Sequence, residues 1–137
     1  MAKVKSIIKI KPFAISEPVF GSCITFCVGM TYAQMMKECQ NGDVVFPKGY
    51  DDPKDHEDSN GCALACDSKD GSCKYRILWL REANNLPVLV HEIVHSVQFI
   101  FKFKGISTTA DEPEPMAYFC EFYFREAFNH LKKKAVI

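Results

Sequence analysis

Apolar and polar positions do not keep one rhythm along this chain, and each change of rhythm marks an element. The opening stretch "VKSIIKIKPF" sets Lys5, Lys9 and Lys11 among apolar neighbours, the period-two pattern of a half-buried edge strand whose lysines discourage pairing with another edge. "SCITFCVG" predicts a second strand. Thr31 then opens "TYAQMMKECQNG" with Gln34 three residues on, a capping-box pattern that predicts a helix over 32–40, stopped at Asn41-Gly42. "DVVF" reads as a short third strand. "CKYRILWL", following the Asp70-Gly71 turn signal, reads as a strand of the sheet interior.

Beyond residue 84 the period becomes helical. Asn84 or Asn85 caps a helix over 86–103, Pro87 suits its first turn and Gly105 its end. A last helix is predicted over 112–131, with Pro113 and Pro115 confined to its first turn, where leading amides lack helical partners. Together these elements predict an α+β fold: a small, mostly antiparallel sheet, one early helix, and two C-terminal helices forming a zincin-like metal site. At 137 residues, 47% of them apolar, the chain suits a single domain spanning 1–137.

The chemistry concentrates in "HEIVH", residues 91–95. On a helix His91 and His95 share a face and can direct both imidazoles at one metal ion, while Glu92 is rotated about 100° from His91. That offset suits a carboxylate that takes a proton from water activated by zinc rather than binding the metal itself. A five-residue motif also arises by chance, and buried histidines are often only hydrogen-bonded core residues.

A catalytic zinc takes three protein ligands, so a third must come from elsewhere. In "DEPEPMAYFCEFYFREAF", Glu114, Tyr118, Glu121 and Arg125 recur as one polar stripe on an otherwise apolar helix. His91, His95, Gln98 and Lys102 form the stripe that it would face. Residues 104–111 can span roughly 26 Å when extended, enough to return Glu114 toward the metal. Glu114 is the candidate third ligand, with Asp111, Glu112 and Glu121 as alternatives. Tyr118 is a candidate hydrogen-bond donor to a ligand or oxyanion, and Glu121 and Arg125 are candidates to orient a liganding imidazole, or else a plain ion pair.

The segment from about 47 to 73 reads as a loop or insertion rich in Asp, Gly, Pro, Ser and Cys. His56, Cys62, Cys66 and Cys73 are candidates for a second, structural zinc, although no CxxC pair is present. The acidic run between Asp51 and Asp58 lacks the ligand spacing of a calcium-binding EF-hand. Cys23, Cys27, Cys39 and Cys120 fall in predicted elements and read as small core residues. Seven cysteines, an odd number, are read as thiols or metal ligands in a reducing compartment rather than as disulfides. Seventeen basic residues balance seventeen acidic ones, which gives no field for nucleic acid or an anionic membrane. No signal peptide or uninterrupted span of about twenty apolar residues is read, so a cytoplasmic protein without membrane partners is expected.

"HEIVH", a spacer of some twenty residues and then "EPMAY" resemble the small gluzincin-like zinc metallopeptidases, in particular the compact phage- and prophage-encoded minigluzincins. The resemblance covers mainly residues 75–125. It implies a hydrolase in which His91, His95 and Glu114 bind Zn2+, Glu92 is the general base, and Ala117 is a small residue allowing the two helices to approach. Its substrate would be a peptide or protein. Where larger gluzincins carry an acid four positions after the third ligand, this chain has Tyr118. The other reading is a non-catalytic, zinc-stabilised protein-binding module.

Overall fold

The structure, a computed structural model, describes residues 10–40, 42–107 and 111–137. Five strands form one mixed sheet in the order β1-β2-β5-β4-β3: β1 is Phe13–Ser16, β2 Cys23–Val28, β3 Val44–Val45, β4 Gly61–Ser68 and β5 Lys74–Leu80. Three helices accompany it: α1 Tyr32–Gln40, α2 Leu86–Lys104 and α3 Glu114–Lys133. The α+β class and the order of these three helices agree with the sequence pattern. The sheet is antiparallel in three pairings, but its central pair, β2 with β5, is parallel. Most of the predicted first strand lies outside the described residues, and the strand found there begins at Phe13.

The helix ends follow their capping residues. Thr31 and Gln34 exchange the two bonds of a capping box: the Gln34 amide donates to Thr31 Oγ1 at 3.1 Å, and the Thr31 amide donates to Gln34 Oε1 at 2.8 Å. Asn85 accepts from the Val88 amide at the head of α2. Gly105 ends the helix at φ 70°, a left-handed conformation that glycine enters without a Cβ penalty.

The alternation of β2 and β5 divides the core between the two sheet faces. Cys27, Ile77 and Trp79 join Leu64 and Cys66 of β4 beneath Tyr32, Met35 and Met36 of α1. Ile24, Phe26, Val28, Leu78 and Leu80 point the other way and are covered by α2 and α3, through Leu89, Ile93, Val97, Phe101, Phe119, Tyr123 and Leu131. By length and composition α2 is apolar enough to cross a membrane, and this same helix provides the centre of the second core.

The segment 47–73 is not one loop. A short 3₁₀ turn, Pro53–His56, is followed by the eight-residue β4, an interior strand of the sheet. Small residues hide the alternation. Leu64 and Cys66 are buried toward α1, whereas Gly61, Ala63 and Ala65 face α2, which at Gly61 leaves no room for a side chain. A Cβ on Gly61 would stand 2.8 Å from Val88 Cγ1 and 2.9 Å from the Trp79 carbonyl oxygen.

Candidate functional site

The N-terminal half of α2 brings three of the predicted residues together. His91 and His95 lie on its exposed face with their Nε2 atoms 3.2 Å apart. Two nitrogens each bound about 2.1 Å from a tetrahedral ion would be separated by roughly 3.4 Å, so the pair has the spacing of two zinc donors. His95 Nδ1 lies 3.1 Å from Gln98 Oε1. With that nitrogen protonated and donating to the amide oxygen, the Nε2 lone pair of His95 is left free to bind a metal.

Glu92 occupies a different environment. It is 7% exposed, and its Oε1 lies 3.8 Å from His91 Nε2. Burial pushes its carboxyl pKa above the ordinary value, while His91, His95 and the Ala63 N–H pull it back. The sequence therefore yields two exposed imidazoles and one sheltered carboxylate within five residues, because positions 91 and 95 face solvent while position 92 turns toward β4.

The backbone of β4 completes the surroundings. The Arg81 amide donates to the Asn60 carbonyl and the Ser68 amide to the Cys73 carbonyl, so the even-numbered residues of β4 turn their amides and carbonyls toward β5. Gly61, Ala63 and Ala65 turn theirs outward. Strand β3 covers only the Asp67–Ser68 end, so among the described residues no strand pairs with the outward side of Gly61, Ala63 or Ala65, the side away from β5. Glu92 thus stands beside an open strand edge.

The remaining site residues are spread out. Glu114 heads α3, is exposed and has no ion pair or side-chain hydrogen bond among the described residues. Its level in the fold follows from the packing. The end of α2 meets the start of β5, where Arg76 lies over Phe103, and Val88 near the start of α2 abuts Gly61, which pairs with the last residue of β5. Helix α3 runs the opposite way: Tyr123 donates to the Ser22 carbonyl before β2, and His130 stacks on Phe13, the partner of Phe26. Since Phe101 contacts Phe119, Glu114 lies past the C-terminal end of α2, roughly 16 Å along the helices from His95. The structure does not bring it to the imidazoles. Among the described residues no three His, Cys, Asp or Glu side chains converge as a metal site would require.

Tyr118 is 43% exposed and rests its ring on Phe119, and Glu121 and Arg125 form an exposed ion pair at 3.3 Å. The second candidate zinc set is also divided. His56 is stacked on Tyr32 and Tyr50, with Nε2 facing the Gly49 carbonyl at 3.3 Å. Cys62 and Cys66 lie along β4, while Cys73 is exposed at the far end of the hairpin, roughly 20 Å from Cys62. Sequence reasoning placed Gln98 on the polar stripe of α2 without giving it a role, and did not assign Ala63 or the open edge to the site. The i, i+3 spacing of His95 and Gln98 was the available signal for that role. No protein-family model, curated protein or solved structure matches this chain.

Proposed function

We propose that the chain is a zinc-dependent hydrolase of peptide or other amide bonds, with His91 and His95 as metal ligands and Glu92 as general base. The observation that carries this reading is the placement of two imidazole nitrogens 3.2 Å apart next to a buried carboxylate at an open strand edge. An extended peptide would add to that edge through the outward amides and carbonyls of Gly61 and Ala65 and the Ala63 carbonyl, the Ala63 N–H being engaged by Glu92. A bound zinc ion supplies Lewis acidity toward water and the scissile carbonyl. Glu92 accepts a proton from the attacking water and passes it to the leaving amine, a role suited to a carboxyl whose pKa is raised by burial. Gln98 holds His95 in the tautomer that presents Nε2. Glu114 would serve as third ligand only with the first turn of α3 brought toward the imidazoles.

The test has two parts. Protein purified without a histidine tag should hold about one zinc per chain, lost in the His91→Ala/His95→Ala double variant; wild type with no zinc above that variant would sink the metal reading. On a peptide library, the wild type should cleave and Glu92→Gln should retain zinc but fall by at least about a hundredfold in rate. Equal activity of the two proteins would remove Glu92 from the chemistry. The non-catalytic alternative is favoured by one observation, the distance of Glu114 from the imidazoles, and predicts zinc binding with no cleavage by either protein.

A further inference from the structure

Further along the groove between α2 and β4, the small side chains give way to cations. Ala65 lies two residues beyond Ala63 on the same strand face, roughly 7 Å away, and opens onto a cleft of about 520 Å3 lined also by Lys74, Arg76, Phe99, Lys102 and Phe103. Phe99 and Phe103 lie one and two turns beyond Ser96 and continue the side of α2 that carries Glu92. The cleft and the candidate site therefore share one groove.

Two of the three cations in this cleft, Arg76 and Lys102, have no carboxylate partner among the described residues. Lys74 is paired with Asp67. Arg76 is half-buried, with its guanidinium 5.0 Å from the Phe103 ring centroid, and among the described residues it has neither a carboxylate partner nor a hydrogen-bond acceptor. Lys102, across the cleft on α2, has no carboxylate partner among them either. Burial pulls the Arg76 pKa downward, the direction for a cation removed from water. A guanidinium carries five donors in a planar fork that fits a carboxylate with two parallel bonds, and the ring beneath Arg76 holds that fork in place.

We propose that this cleft is an anion-selecting subsite, with Arg76 as the main specificity determinant and Lys102 as its support, receiving a carboxylate from a peptide lying along the open edge of β4. The proposal rests on the peptide-hydrolase reading for its substrate class. Geometry favours a side chain: a substrate residue opposite Ala65 would project onto the α2 face, and the Ala65 methyl leaves room for it to pass. The carboxylate of a peptide's own C-terminus offers the same chemistry.

Binding measured without turnover separates this inference from the metal reading. Four fluorescent hexapeptides, with Glu or Gln at one interior position and either a free or an amidated C-terminus, would be titrated by anisotropy against the full wild-type chain in chelator. A carboxylate peptide should bind about tenfold more tightly than its uncharged counterpart, and added salt should narrow the gap. Preference for interior Glu among the amidated peptides would identify a side-chain source; preference only for the free C-terminus would identify the terminal one. Arg76→Gln should abolish the discrimination and Arg76→Lys restore part of it. Lys102→Gln, at an exposed position, should reduce it at least about threefold and carries the test if Arg76→Gln misfolds. Equal affinity for all four peptides, no binding of any, or full discrimination persisting in a folded Arg76→Gln protein would overturn the proposal, whatever the zinc content.

Discussion

Gln98 shows how one uncharged residue can decide what a histidine does. Its amide oxygen lies 3.1 Å from His95 Nδ1, whereas His91 has no equivalent acceptor among the described residues. Gln98→Ala would free the His95 tautomer and rotamer without disturbing the core, since position 98 is exposed. Zinc affinity should fall about tenfold or more, the usual cost of losing a partner that orients a ligand, while the melting temperature of the metal-free protein stays unchanged. A competition titration with a zinc-binding dye would measure this, and unchanged affinity would assign Gln98 to the surface. Asp70 offers a pH-dependent case away from the groove. Its carboxylate accepts from the Ser72 amide and hydroxyl and from the Ser68 hydroxyl, which lowers its pKa to about 2. Since the folded value lies below the ordinary 3.8, the turn's contribution is complete above that pH and is lost as pH falls toward 2. Carboxyl NMR of Ser68→Ala/Ser72→Ala should find the Asp70 midpoint moved back upward; no movement would exclude the hydroxyls as the cause. At this scale the sequence was informative where spacing alone fixes geometry: His91, Glu92 and His95 had to emerge on two adjoining sides of one helix. Spacing could not reveal that position 92 would be buried, because that depends on β4.

Among the elements, the contact of α2 with β4 determines whether a groove exists. Gly61→Ala places a methyl against Val88 Cγ1 and the Trp79 carbonyl, and should cost about 1–3 kcal/mol in denaturant unfolding. Adding Val88→Ala relieves only the side-chain half of that clash, so the double variant should not recover more stability than Val88→Ala itself has. A neutral Gly61→Ala would mean that the helix can move off the strand. This packing also explains what the hydrophobic pattern missed. The pattern reads β4 as loop because three of its eight positions, all on the face toward α2, are Gly or Ala, and that face is set by a helix some thirty residues later in the chain. The path of α3 was equally hidden. A connection able to span roughly 26 Å permits many returns, and the observed one is fixed by Phe101 on Phe119, Tyr123 on Ser22 and His130 on Phe13. The two helices with local end signals, by contrast, lie where their caps require: α1 starts at its capping box and α2 runs between Asn85 and Gly105.

For the molecule as a whole, metal binding and folding must be linked if His91 and His95 bind zinc only when α2 is formed. A ligand at a hundredfold excess over its dissociation constant stabilises the state that binds it by about 2.7 kcal/mol. In a chain of this size that corresponds to a rise in melting temperature of about 8 °C, one that grows with zinc concentration rather than stopping at a fixed value. The seven cysteines work against this, because an unfolded chain rich in thiols also binds zinc and reduces the shift. The His91→Ala/His95→Ala protein isolates that term: it keeps every thiol and should show no rise, or a fall, as zinc is added. Glu92→Gln should keep the full rise, since the role proposed for it concerns the proton and not the metal. Glu114→Gln is the deciding variant. If the first turn of α3 moves to the imidazoles when zinc binds, its loss should remove much of the rise; if the groove works with the two histidines and ligands from solvent or substrate, the rise should survive intact. Calorimetric scans of the four proteins across a zinc series would distinguish these outcomes, and a wild-type curve indistinguishable from the double-histidine variant at every concentration would end the metal reading.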